Sequence, residues 1–283
     1  MAIAGYTIAS TGGMIDSYSI SPAAPHGTSF NTSTGLLSGT PTTVQGATVY
    51  TILATNGLGT ATATFTLTVT ATCANGGSCT VGVSTGPGGG KVFYYSAAGF
   101  TSIGSACGTD CHYLEVAPAD LSLTHHWAAD VASCYNEGGS SSNNSCKTNS
   151  IYSGDSATQA ASREASRDIG MGMANTNQIY ARFTTAGGAL TTSYAAGFAW
   201  DYTNNGKADW HLPSRYELDE LYANNGGLND AFGFAKPGDY WEYWTSTEDE
   251  ATRIWFRAFV DGYNGSTTKN ENCPRYVRPV RAF

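Results

Sequence analysis

From Trp241 to Phe283 the chain carries large apolar or aromatic residues as isolated fixed points: Trp244, Ile254, Trp255, Phe259, Tyr276, Val277 and Val280. The residues between them are small, polar or turn-forming and follow no period. A core-facing strand alternates apolar and polar residues along its length, and here the alternation survives only in snatches. Such a stretch can fold as short strands pinned by anchors and joined by loops. Loops on a rigid scaffold are where binding residues concentrate. Plain surface loops of a β-rich domain are the alternative reading.

The chain of 283 residues is long enough for two domains of ordinary size. Charged residues make up 13%, while Gly (34), Tyr (17) and Trp (6) are plentiful. That profile points to an extracellular, β-rich protein rather than a cytosolic helical enzyme. A net charge of -8 argues against nucleic-acid binding, which needs a basic face. No apolar run reaches the length of a membrane span, so no membrane insertion is expected. The N-terminal MAIAGYTIAS lacks the basic and apolar regions of a secretory signal. Export would use another route, or the chain would ride on a particle assembled inside a cell, or the sequence is an excerpt of a longer product.

Seven cysteines suit an oxidising compartment. Their spacing suggests three local loops, Cys73 with Cys79, Cys107 with Cys111 and Cys134 with Cys146, although six cysteines allow about 15 pairings. Zinc is the competing reading, but no CxxC or HxxxH pair is present. Cys273 is left over.

Residues 1–72 are rich in Thr, Ser, Ala and Gly. Short alternating runs (YTIAS, SYSIS, VYTILAT, ATFTLTV) are separated by the turn clusters PAAPHG, NTSTG and SGTPTT. Alternation in TATATFTLTV puts Ala61, Ala63, Phe65, Leu67 and Val69 on one face of a half-buried antiparallel strand. Several such strands predict a small β-sandwich. The run PHGTSFNTSTGLLSGTP, Pro25 to Pro41, closely resembles the immunoglobulin-like domains of prokaryotic surface proteins, with His26 and Thr28 as departures. The resemblance implies a spacer or adhesion module. Residues 73–88 are expected to form a Gly-rich connection, flexible by composition at GPGGG. GGGK runs into the apolar VFYYSAAGF instead of a helix, which favours a turn into a strand over a phosphate loop.

Residues 89–283 form the second domain. One helix is expected from near Ser156 to Phe183, with Ala160, Ala161, Ala165, Ile169 and Ile179 at helical spacing and Gly170 and Gly172 interrupting it. Another is SRYELDELYAN, where Ser214 and Glu217 form a capping box and Leu218, Leu221 and Tyr222 the apolar face. The phrases GMANT, YAAGFAWDY, DWHLPSRYELDELYANNGGLN, YWTSTE and YVRPVRAF, in this order, resemble a C-type-lectin-like domain of the formylglycine-generating-enzyme type. The resemblance implies two helices flanking a small antiparallel sheet, with long loops on one face.

Within that family the ending resembles the variable proteins of diversity-generating retroelements, whose C-terminal region is rewritten at template adenines. The matching frame is Trp255, Phe259 and Gly262, a mixed tract from Tyr263 to Arg275, then Tyr276 to Arg281. The resemblance implies a variable region at about 241–283. AAC codons can become any NNC codon, a set that excludes Lys, Glu, Gln, Met and Trp. The candidate variable, ligand-binding residues are Asp249, Thr252, Arg253, Phe256, Arg257, Asp261, Tyr263, Asn264, Ser266, Thr267, Thr268, Asn270, Asn272, Cys273, Pro274 and Arg275. They are expected to form one contiguous exposed face, with Trp244, Trp255, Phe259, Tyr276 and Val280 beneath as scaffold.

Other chemistry is thinner. His125 and His126 with Asp130 read as a metal fragment or as loop histidines; adjacent side chains seldom ligate one ion. His211 reads as the cap of a strand end. Asp201, Thr203, Asn205 and Asp209 around Gly206 suggest a calcium loop, but Leu212 stands where a bidentate Glu belongs, and a hydrogen-bonded turn is the alternative. No EPN, QPD or WND tripeptide of calcium-dependent sugar-binding lectins is present. Nor are paired cysteines of formylglycine chemistry in the C-terminal half, or a Ser-His-Asp set.

The sequence therefore predicts a mainly β N-terminal Ig-like sandwich plus an α+β C-type-lectin-like domain with two helices and a small antiparallel sheet. It predicts a non-enzymatic binding protein on a virion or cell surface, with a protein or glycan ligand on a host or target cell and no cofactor. A fixed adhesin or lectin-like protein is the alternative, and an enzyme with an unrecognised site the third.

Overall fold

The computed structural model describes residues 13–121, 124–129, 164–185, 187–225, 232–233, 241–250, 253–269 and 274–283. The chain divides into two compact units, residues 1–78 and 79–283.

In the first unit, β1 (Ser17–Ser21), β4 (Gln45–Asn56) and β5 (Gly59–Val69) form an antiparallel sheet in the order β1-β4-β5, and β2 (Thr28–Phe30) pairs with β3 (Leu37–Gly39). Asn56-Gly57 begins the β4–β5 turn, and the Asn56 side chain accepts from the Leu58 N–H at 2.9 Å. The PHGTSFNTSTGLLSGTP run is the β2–β3 hairpin. Asn31 Oδ1 accepts from the N–H groups of Ser33 and Thr34, which closes the turn. Gly27 and Gly39 face each other across the pair. A Cβ on Gly39 would lie 2.6 Å from the Gly27 carbonyl oxygen, and one on Gly27 2.3 Å from that of Thr40. Leu37, Tyr50, Ile52 and Val69 are buried, with Tyr50 stacked on Phe65 at 5.4 Å. The strand face expected from TATATFTLTV is buried only in its second half. Ala61 and Ala63 are exposed, because the turn end of the hairpin has no apolar cover among the described residues.

In the second unit, β6 (Lys91–Phe100), β7 (Cys111–Val116) and β11 (Val280–Ala282) form one sheet, ordered β11-β7-β6. A second sheet, β10-β9-β8, is built from β8 (Glu242–Glu250), β9 (Arg253–Ala258) and β10 (Asn264–Thr268). The described helices are α1 (Met171–Tyr180), α2 (Ala195–Asp201) and α3 (Arg215–Asn224). The extra one, α2, comes from YAAGFAWDY; its alanines pack against Trp127, Ile179, Phe183 and Trp244. A second cluster joins Phe93, Leu114, Leu218, Leu221, Phe259 and Val280. The unit is thus α+β with small antiparallel sheets.

The expected interruption at Gly170 is where α1 starts. Gly170 has φ 89°, and a Cβ there would lie 2.0 Å from the Thr101 carbonyl oxygen. Gly172 does not interrupt the helix. It lies inside it, where a Cβ would meet Glu217 Oε2 at 2.2 Å. The Ser214–Glu217 capping box forms: Glu217 N–H donates to Ser214 Oγ at 3.3 Å and Ser214 N–H to Glu217 Oε2 at 2.8 Å. The same carboxylate accepts from Gly170 N–H at 2.9 Å and lies 3.3 Å from His211 Nε2, all fully buried. His211 does meet a strand end, its backbone bridging to Val280 at the start of β11, and its ring lies beside Glu217 in the interior.

The GPGGG run corrects the expectation of a flexible connection. Gly88 and Gly90 N–H groups donate to the two oxygens of Glu115 at 2.8 and 2.9 Å. A Cβ at Gly90 would lie 2.4 Å from the Val116 carbonyl oxygen, so glycine serves close approach there, not freedom. Cys107 is bonded to Cys111, and Cys73 and Cys79 are both disulfide-bonded. Cys134 and Cys146 lie outside the described residues.

The C-terminal arginines tie the unit together. Arg278 donates to Asp120 at 2.9 Å and to the carbonyls of Ala117, Phe232 and Gly233. Arg281 pairs with Glu115 at 2.9 Å and with Asp209. Arg275 pairs with Glu242 at 2.6 Å. An arginine every third residue thus anchors to a different acid.

Candidate binding face

Strand β9 decides where the candidate residues point. Its residues alternate between intermediate exposure (Arg253, Trp255, Arg257) and burial (Ile254, Phe256, Ala258). In the antiparallel register Arg257 lies opposite Asn264, Trp255 opposite Ser266 and Arg253 opposite Thr268. Directly opposed residues share a face. One face therefore holds Arg253, Trp255, Arg257, Asn264, Ser266 and Thr268, with Asp249 of β8 reaching Arg253 at 3.9 Å.

Helix α3 and the turn before α1 border this face. The Arg215 guanidinium lies 3.7 Å from the Trp255 ring centre and that of Arg167 5.6 Å away. Asp219 accepts from Arg257 at 2.5 Å and from Asn264 at 3.0 Å. Arg257 also lies over the Tyr222 ring at 4.2 Å. Arg167 reaches Glu164 at 2.7 Å and Asp249 at 3.9 Å. Arg253 donates to the Ser266 hydroxyl at 3.1 Å and to its carbonyl. The result is a shelf of guanidinium groups around one indole, mostly buried and most open at Arg253.

Three expectations are corrected. Phe256 is 7% exposed and packs edge-on to Trp244, so it is core and not a contact residue. Its ring fills the space above Gly265, where a Cβ would meet it at 2.4 Å. Arg275 is 6% exposed, held between Glu242, Trp244 and Phe256. Trp255, expected beneath the face, is part of it, because strand alternation puts it beside Arg253 and Arg257. Trp244, Phe259 and Val280 are buried, and Tyr276 is half-buried.

The candidates also divide between two faces, which corrects the single-face expectation. Tyr263 is 60% exposed but packs against Phe256 at 6.2 Å, on the side away from Trp255. Thr267 lies opposite buried Ile254. Asp261, Thr268 and Pro274 are exposed. Thr252, Asn270, Asn272 and Cys273 lie outside the described residues. Within the mixed tract, Lys269 is buried and pairs with buried Glu248.

The residues of the suggested calcium loop have other partners. Asp201 accepts from Thr191, Asn205 donates to the Pro87 carbonyl at 2.9 Å, and Asp209 accepts from Ala106 N–H and Arg281. Their side chains serve four different partners, Thr191, Pro87, Ala106 and Arg281. No group of three or more potential metal-binding residues gathers among the described residues. Burial pushes the Asp209 carboxyl up, but the Arg281 and Ala106 hydrogen bonds outweigh it and lower its pKa. His125 is buried and stacked on Phe198 at 3.5 Å. Burial, helped by the charge of His126, lowers its pKa to about 4. Asp130 lies outside the described residues.

Sequence reasoning missed Arg167, Arg215, Asp219 and Tyr222, because they sit on helical segments far from the C-terminal tract. One signal was present. Arg215 is the first residue of its helix, where the helix dipole disfavours a positive charge.

Comparison with known proteins agrees with this architecture. Residues 2–70 match the family described as Putative Ig domain, and residues 173–281 match the Lcl C-terminal domain. The two stand in the order of the variable proteins that the sequence resembles. Both families are binding or structural modules. Among solved structures, a fimbrial protein from Bacteroides ovatus ATCC 8483 aligns at 12% identity and a TM-score of 0.42, covering 94% of this chain and 64% of that one. The chain therefore spans about two thirds of that protein's length. No curated protein sequence matches the chain. No described helix is long and apolar enough to cross a membrane.

Proposed function

We propose that this chain is a ligand-binding protein displayed on a virion or cell surface, and that a retroelement diversifies its C-terminal region. The ligand is a protein or glycan on a host or target cell, and the shelf around Trp255 meets it. The observation that carries this reading is the division on β9. Alternate residues form the core, while the residues between them face the shelf. Arg253, Arg257, Asn264, Ser266 and Thr268 belong to the NNC set, and the central Trp255 and buried Lys269 do not. Codon chemistry thus leaves the platform and the Lys269–Glu248 pair fixed while their neighbours change. Surface changes of this kind cost within about ±0.5 kcal/mol each. The reading requires neither catalysis nor a cofactor.

The test has two arms. Sequencing around the gene should find a reverse transcriptase and a near-copy of the terminal coding region, with differences confined to template adenines. Replacing Arg253, Asn264, Ser266 and Thr268 together should change the ligand bound while barely moving the melting temperature. An unvarying terminal region in sibling genomes would make the fixed adhesin the better account.

A further inference from the structure

We propose that the ligand presents a carboxylate, from an acidic side chain of a protein, to the guanidinium of Arg215 where it lies on Trp255. The inference rests on the binding-face reading and names the chemistry that face selects. Arg215 is the least satisfied cation on the shelf. Its nearest acid, Asp219, is 4.0 Å away and already holds Arg257 and Asn264. Arg253 and Arg167 are engaged by Ser266 and Glu164. The buried Nε atoms of Arg167, Arg215 and Arg257 and the indole N–H of Trp255 have no hydrogen-bond partner. Within ion-pair distance, the guanidinium groups of Arg167, Arg215, Arg253 and Arg257 face three carboxylates, those of Glu164, Asp219 and Asp249. Among the described residues one positive charge is left over.

The geometry favours a flat, singly charged acceptor. Stacking on the indole fixes the guanidinium plane and leaves its edge to donate. Two parallel N–H groups match the two oxygens of a carboxylate. The side chains of Arg215 and Arg253 are 20% and 37% exposed, so a ligand can reach both. A polyanionic glycan fits less well. The chain carries a net charge of -8, which repels a polyanion at long range, while one carboxylate neutralises one surplus charge.

Panning phage-displayed random peptides on the full chain tests this. Enriched peptides should share one Asp or Glu, and changing that residue to Asn or Gln should weaken binding at least about tenfold. Arg215→Gln in the protein should cause a similar loss, and Arg215→Lys a smaller one, with the melting temperature lowered no more than by Trp255→Ala. The peptide change leaves the protein untouched, so the comparison holds even if an Arg215 variant folds poorly. Enriched peptides without a shared acid, or acidic peptides indifferent to Arg215, overturn the proposal. Retention on heparin with no acidic peptide enriched overturns it in favour of a sulfated glycan. Peptides that bind equally well to a variant with Arg253, Asn264, Ser266 and Thr268 replaced would instead refute the binding-face reading itself.

Discussion

Glu217 does more than cap a helix. Its two oxygens accept from Ser214 and Gly170 N–H and one lies 3.3 Å from His211 Nε2, so one buried carboxylate joins the start of α3, the start of α1 and the residue that bridges to β11. Removing the carboxylate leaves the buried N–H groups of Ser214 and Gly170 without an acceptor, which costs about 2–6 kcal/mol together. Glu217→Ala should lose that much in urea unfolding, and a loss below about 1 kcal/mol would show that the junction is held elsewhere. Gly172→Ala should also destabilise, by about 1–3 kcal/mol, because its methyl would intrude on Glu217. His125 supplies a pH dependence. Its folded pKa of about 4 lies below the ordinary value of 6.5. The unfolded chain therefore takes up this proton first as pH falls. The stabilisation is complete above pH 6.5 and is lost towards pH 4, on the order of 2–3 kcal/mol in all. His125→Phe keeps the stack on Phe198 and should flatten stability between pH 6.5 and 4. A variant with the wild-type slope would assign the dependence to other groups.

At the scale of the element, β9 separates two kinds of aromatic residue that look alike in the sequence. Phe259 and Phe256 are buried, and their replacement by Ala should cost about 3–5 kcal/mol. Trp255 is partly buried, with the guanidinium groups of Arg215 and Arg167 over its ring. Trp255→Ala should cost only about 1–2 kcal/mol in stability, yet abolish ligand binding. Thermal melts of the three variants rank them directly, and a Trp255 loss as large as that of Phe259 would return Trp255 to the core. Strand β8 shows how polar residues enter an interior. Thr247 donates to the Ser166 carbonyl at 3.0 Å, and Thr245 to that of Trp255 at 2.8 Å. The hydroxyls of YWTSTE thus satisfy carbonyls that would otherwise be costly to bury.

At the scale of the molecule, each unit has its own core and its own sheets. The division falls between Ser78 and Cys79, and the glycine turn, bound to Glu115, belongs to the second unit. A chain of residues 73–283, which keeps Cys73 and Cys79, should unfold in one cooperative transition with a midpoint within about 3 °C of its transition in the full chain. Loss of cooperativity in that truncation would show that the second unit depends on the first. Peptide binding by the truncated chain should equal that of the full chain, as the shelf lies wholly in the second unit.

Local patterns determined much of this. Turn residues and alternation disclosed the β hairpins. The Ser214–Glu217 spacing disclosed the start of α3, because capping is a matter of residues three apart. The order of motifs disclosed both domains. The tertiary structure alone decided the rest, for one physical reason: burial and pairing are made between segments distant in sequence. Phe256 became core because Gly265 left room for it. Arg275 became a buried cation because Glu242 stood opposite. Trp255 moved to the surface because its neighbours in β9 took the interior. The shelf itself brings Arg167 and Arg215 to Trp255 from helical segments, and no spacing along the chain encodes that meeting.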